Sequence, residues 1–191
     1  MFQPKGKMVV LTAPSGAGKT TLVRHLLNFY GYLDFSVSAT TRAKREYEKH
    51  GVDYFFLTEE DFRKKIEEDA FVEWEEVYTG QFYGTLKSEL HRIWEDGKAI
   101  VFDIDVNGAT QLKQKYGESC LTIFVKPPSI DTLVDRLKKR ATETEASLAK
   151  RIDKVKREIG YENRFDAVIV NDLLEVAKKE AEILVDNFIH H

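Results

Sequence analysis

Cysteine is nearly missing from this chain: Cys120 is the only one in 191 residues, so no disulfide can close within it. There is no Asn-x-Ser/Thr acceptor for glycosylation, and the opening stretch MFQPKGKMVVLT lacks the apolar core of a secretory leader. These absences predict a reducing, cytoplasmic setting. No apolar run approaches the roughly 20 residues that a membrane-spanning helix needs, so no membrane partner is expected. Excess positive charge is missing too. The formal net charge is −3, so no global field advertises nucleic acid as a partner, and any anion site must come from local clusters. His25, His50 and His91 show no metal-ligand spacing and read as structural or solvated. Internal repeats and low-complexity segments are also lacking. Cys120 itself opens the apolar run CLTIFV and reads as a small core residue.

What remains is material for one domain with room for an insertion. Residues 8–11, 99–104, 120–125 and 167–170 are short apolar runs without alternation, the pattern of parallel strands buried on both faces. Helical stripes lie between them: Leu22, Val23, Leu26 and Leu27; then Leu86, Leu90, Ile93 and Trp94 with Gly97 as a stop; then Ile130, Leu133, Val134 and Leu137 started by Ser129. Leu148, Ile152, Val155 and Ile159 extend a long helical stretch, and a tail helix is expected from about Asn171-Asp172. The prediction is an α/β fold, a parallel sheet flanked by helices, with core segments 1–35, 87–128 and 156–191. Residues 36–86 break the pattern. They are polar and basic, then aromatic and strand-like, with Thr58 placed to cap a helix carrying Phe62 and Ile66. This reads as an inserted small mixed α+β subdomain. Residues 129–155, polar around 140–150, read as a mobile lid.

The stretch LTAPSGAGKTT follows the first expected strand and opens the first helix, which is the context that gives a Gly-Lys-Thr loop its meaning. Backbone N–H groups from Ala13, Pro14, Ser15, Gly16, Ala17, Gly18, Lys19, Thr20 and Thr21 (proline lending only its fixed turn) would form a positive concavity for phosphates. Lys19 would reach the β- and γ-phosphates of a nucleoside triphosphate. Gly16 and Gly18 let the backbone approach where a Cβ would intrude. Ala13 stands where such loops usually carry glycine; it is tolerable at a strand end with negative φ. A Mg²⁺ ion is expected, held by the Thr20 hydroxyl and by Asp103, directly or through water, with Asp105 two residues on along the same face.

The insertion names the second substrate. In SATTRAKR, Arg42 and Arg45 sit among hydroxyls, a composition suited to a phosphate dianion. Glu73 lies in FVEW, and Tyr83 and Thr85 in FYGT. Here the chain resembles the guanylate kinases, with blocks in family order across nearly its whole length. They are SVSATTR with the further Arg45, then DYFF, EW, FYGT, FDID, RATETEAS…KR and VIVND. The resemblance implies transfer of phosphate from ATP to GMP or its deoxy form, by a monomer or homodimer. It implies that Ser38, Arg42, Arg45, Tyr54 and Tyr83 hold the GMP phosphate. Glu73 and Thr85 would read guanine with Asp105 near the base. Arg140 and Arg151 would close from the lid, and Asn171 would lie near the ATP adenine or ribose. The chemistry agrees. Guanine offers two adjacent N–H donors that one carboxylate accepts as a pair, whereas adenine presents a lone pair there. Such a site can reject the wrong base by roughly 10⁴-fold or more. One departure stands out: between Glu73 and Tyr83 the chain is one residue longer than the family's usual spacing, expected to be absorbed at the Thr79-Gly80 turn.

Overall fold

Met8, Val9, Val10 and Leu11 are completely buried, and the fold is built outward from them. The computed structural model describes residues 6–138, Ile152, Val155 and residues 157–191. Strand β1 (Met8–Thr12) pairs in parallel with β7 (Ala99–Asp103) on one side and β8 (Cys120–Lys126) on the other. Beyond these lie β2 (Leu33–Phe35) and β9 (Ala167–Val170), giving the parallel order β2-β7-β1-β8-β9. Strand β2 was not expected. Its three residues include an aspartate, too short and too polar to register as an apolar run. The run at 99–104 ends as strand at Asp103, with Ile104 already turning toward the next helix.

Both faces of the sheet are covered, which explains why its strands are apolar without alternation. On one face Val9 and Leu11 meet Leu22, Val23 and Leu26 of α1 (Lys19–Phe29), and Ala177, Ala181 and Val185 of the C-terminal helix (Leu174–His190). On the other, Met8 and Val10 meet Leu90 and Ile93 of α3 (Lys87–Glu95), and Ala109 and Leu112 of α4 (Val106–Tyr116). Each large side chain buried here contributes about 1.5–3 kcal/mol. The C-terminal helix starts three residues later than expected. Asn171 still belongs to the strand ladder, its N–H donating to the Lys126 carbonyl at 2.8 Å. In α5 (Ile130–Lys138), Ser129 Oγ accepts from the Thr132 N–H as a cap, and Leu133 is buried; Ile130 instead faces out, 38% exposed.

The residues between β2 and α3 form a second sheet, mixed, in the order β4-β3-β6-β5. Its strands are β3 (Ala39–Thr40), β4 (Phe55–Phe56), β5 (Phe71–Tyr78) and β6 (Gln81–Leu86), with α2 (Glu59–Glu67) packed beside them. Thr58 Oγ1 accepts from the Asp61 N–H at 3.0 Å and starts α2 as expected. Phe62 stacks on Phe71 at 4.3 Å and packs on Phe82, a small core separate from the two above. The β5–β6 register steps from Glu76↔Phe82 to Tyr78↔Gln81, so Val77 is an extra residue within the strand. The irregularity of this hairpin thus lies at Val77, and Thr79-Gly80 is an ordinary two-residue turn. Among the described residues, no helix is long and apolar enough to cross a membrane. Most of the expected lid lies outside the described residues.

Candidate active site

The phosphate loop sits at the carboxyl end of β1, between the parallel neighbours β7 and β8. Gly16 and Gly18 have φ of +92° and +96°, a region that favours glycine, while Ala13 is buried without a positive φ, as expected for a strand end. Gly18 is fixed for a second reason: a Cβ there would collide with Asn171 Nδ2. Asn171 is buried, and its amide donates to the Ala17 carbonyl at 2.7 Å. Asn171, expected near the ATP base or ribose, braces the loop from beneath. Ala17 likewise turns inward, its N–H spent on the Pro14 carbonyl at 3.1 Å. The rest of the loop, with Asp103, Asp105 and Tyr78, lines a cavity of about 360 Å³.

Strand β7 carries Asp103 to the loop. Its Oδ1 meets Lys19 Nζ at 2.7 Å, and its Oδ2 accepts from the Thr20 hydroxyl at 2.8 Å. Lys19 also donates to the Ile104 carbonyl at 2.8 Å. Asp105 caps α4, accepting from the Gly108 N–H at 2.9 Å, and still lines the cavity. Among the described residues no three acidic, histidine or cysteine side chains form a metal cage. The Thr20–Asp103 pair instead presents hard oxygens, the donor type that suits a Mg²⁺ otherwise ligated by waters and phosphates.

A second cavity, of about 220 Å³, adjoins the first and shares Lys19, Asp103 and Asp105 with it. Its remaining wall includes Ser38, Tyr54, Glu73, Glu75, Val77 and Tyr83 from the inserted sheet. Glu73 is buried, and burial pushes its carboxyl up to about 7, offset in part by the Thr85 hydroxyl donating to Oε1 at 2.6 Å. Thr85, expected to contact guanine, is wholly buried, and its hydroxyl supports the Glu73 carboxylate. Gly108 faces Glu73 from the core: a Cβ there would lie 2.8 Å from Glu73 Oε2.

The two arginines stand to one side. Arg42 lies over the Tyr54 and Phe56 rings at 5.3 and 5.8 Å and pairs with Glu48. Arg45 is more than half exposed and donates to Tyr47 Oη; it lines a neighbouring cavity with Ser38, Tyr54 and Asp103. Arg140 and Arg151 lie outside the described residues. Sequence reasoning missed four positions here: Glu48; Glu75, which accepts from Asn107 Nδ2 at 2.6 Å; Tyr78 on the donor cavity; and Gly108. Only the bulge at Val77 puts Tyr78 on that face, and pattern alone does not reveal a bulge. His25 and His50 make structural contacts, His91 is exposed, and Cys120 is buried. His25 pairs with Glu182, His50 Nδ1 accepts from the Phe56 N–H, and burial pushes the Cys120 thiol up to about 12.

A phosphate loop with its lysine and strand-end aspartate, opening onto a second cavity under an inserted sheet, defines a P-loop phosphotransferase. A family profile for guanylate kinase matches residues 5–187. Among curated proteins, the guanylate kinase of Bacteroides thetaiotaomicron is 47% identical over 98% of this chain and 92% of its own length. That of Salinibacter ruber is 48% identical over 97% and 98%. The crystal structure of guanylate kinase from Anaplasma phagocytophilum superposes with a TM-score of 0.74 at 30% identity, covering 97% of this chain and 88% of that one. This chain belongs to the guanylate kinase family.

Proposed function

We propose that the chain transfers the γ-phosphoryl group of ATP directly and in line to GMP, and also to dGMP, with the residues above in defined roles. The observation that carries this reading is the shared wall: Lys19, Asp103 and Asp105 border both cavities, so donor and acceptor phosphates meet at one lysine. The loop would hold the donor, with Asn171 keeping its backbone in shape. Glu73, oriented by Thr85, would accept the N1 and N2 protons of guanine in its ionised form. Ser38, Tyr54 and Tyr83 line the same cavity, and Arg42 and Arg45 flank it on the side assigned to the acceptor phosphate.

Little proton chemistry is required, because the attacking oxygen belongs to a phosphate already ionised near neutral pH. The barrier is repulsion between two polyanions and the entropy of aligning them. Lys19 and the arginines would lower both. When bound, Mg²⁺ at Thr20 and Asp103 would add charge neutralisation on the donor phosphates. A coupled assay across GMP, dGMP, AMP, UMP and TMP tests the reading. Turnover confined to GMP and dGMP is expected. Silence with every guanine monophosphate would overturn it, and equal use of AMP would remove the role given to Glu73.

A further inference from the structure

Between Ala43 and His50 every residue is exposed except one, and that one is Glu48. An acid is an expensive choice for the buried position of a surface loop unless its charge is matched. Here it is matched three times. Oε1 accepts from Arg42 Nη2 at 2.7 Å, Oε2 accepts from Arg42 Nη1 at 3.0 Å, and Oε2 also accepts from the Arg45 backbone N–H at 2.8 Å. The Glu48 N–H in turn donates to the Arg45 carbonyl at 3.1 Å, so the loop folds back around this carboxylate. The Arg42 guanidinium beside it holds the carboxyl down to about 2. Glu48 thus stays ionised across the working pH range.

The geometry of the fork matters more than the charge. A guanidinium has five N–H donors arranged along distinct edges. Glu48 takes the Nη1–Nη2 edge, and the Ala43 carbonyl takes a further Nη1 proton at 2.8 Å. Tyr54 and Phe56 lie against the guanidinium. The plane of Arg42 is therefore fixed on three sides, and the Tyr83 hydroxyl hydrogen-bonds the same guanidinium, so Arg42 stands in one orientation beside the cavity that Tyr54 and Tyr83 line.

We propose that Glu48 is a positioning residue for the acceptor phosphate: it clamps the Nη1–Nη2 edge of Arg42 and the backbone of Arg45, so that both arginines are already held in place when the phosphate arrives. This rests on the reading of Arg42 and Arg45 as the GMP-phosphate ligands. An arginine already locked in one rotamer does not lose that freedom again on binding, and removing the clamp should cost about 10–30-fold in affinity.

Equilibrium binding of GMP and of guanosine to the full chain separates the phosphate increment from the base increment. Glu48→Gln is expected to weaken GMP about 10–30-fold while leaving guanosine and the KM for ATP unchanged. Glu48→Asp, which keeps the charge but shortens the reach, should weaken GMP by less and again spare guanosine; it carries the test if the glutamine variant fails to fold. In an Arg42→Ala background, adding Glu48→Gln should cost GMP binding less than it does in the wild type, the remainder passing through the Arg45 backbone; an undiminished cost would overturn the proposal. The proposal is overturned if guanosine weakens in step with GMP, which marks Glu48 as a prop for the whole subdomain. GMP binding that is unchanged or tighter in Glu48→Gln overturns it as well, since the carboxylate would then be idle or a competitor for Arg42. A wild-type chain that binds guanosine as tightly as GMP would remove the phosphate site itself, and the proposal with it. That result is separate from the others because it appears without any substitution.

Discussion

Replacing Glu73 with glutamine should stabilise the ligand-free protein while disabling it, and the pH dependence of the gain tests the cause. Glu73 is buried, and its carboxyl is raised from 4.5 to about 7 chiefly by that burial. The fold therefore favours the neutral acid. Its contribution to stability is fully present below pH 4.5 and is lost as pH rises through about 7. At about 1.4 kcal/mol per pH unit, the interval from 4.5 to about 7 corresponds to a loss on the order of 3 kcal/mol once Glu73 is ionised. Glutamine keeps the shape, can still pair with Thr85 and cannot ionise. Urea unfolding of both ligand-free proteins at pH 5, 6.5 and 8 should show little difference at pH 5. At pH 8 the variant should be more stable by about 3 kcal/mol, a Tm gain of about 6–12 °C for a chain of this size. The same variant should lose at least about 10²-fold in kcat/KM for GMP, because the amide offers guanine one acceptor instead of two. A stability difference that does not change with pH, or a wild type that gains on the variant as pH rises, would refute the argument.

Guanosine, which has no phosphate to titrate, should bind about tenfold more tightly at pH 8 than at pH 6, because a carboxyl near 7 is mostly neutral at the lower pH. Calorimetric titration showing flat or falling affinity would mean that the ionised form is not the reader. Gly108→Ala should raise the KM for GMP tenfold or more without touching the KM for ATP, since the new methyl would lie 2.8 Å from Glu73 Oε2. Unaltered GMP kinetics would show that the carboxylate is free to move. Lys19→Ala should abolish transfer while circular dichroism and the unfolding midpoint stay near those of the wild type, and residual turnover near wild type would count against the loop assignment.

The sequence made the donor half of the site easy to find and the acceptor half only partly so. Strand, loop and helix are contiguous around residues 8–29, so the loop's chemistry and its scaffold are written in one stretch. Four of the five strands of the large sheet were visible because burial on both faces removes polar residues; β2 was not, at three residues with an aspartate. The acceptor cavity is assembled from β5, β6, the end of β7, Lys19 and the loops carrying Ser38 and Tyr54, and no single segment records how these meet. Sequence could name Glu73 but not say that Gly108 makes room for it, nor that the Thr85 hydroxyl is committed to it. Glu48 was invisible for the same reason: an acid three residues beyond an arginine carries no pattern, and only burial distinguishes it from Glu46. Nor does the sequence carry any sign that Asn171, at a strand end beneath the loop, donates to the Ala17 carbonyl.

The contact between Gly108 and Glu73 bears on how such an enzyme could be re-engineered. On the proposed reading the inserted segment is an exchangeable cartridge, carrying Glu73, Thr85, Arg42 and Arg45 in one continuous stretch. Its fit, however, depends on a residue of the host. A chimera that transplanted the insertion onto another phosphate-loop scaffold would also have to carry across the first turn of the helix beneath it. Without a residue lacking a side chain at that point, the grafted carboxylate would have nowhere to sit. Acceptor choice is therefore inherited jointly by the two segments, although they are separated in the chain and belong to different sheets' surroundings.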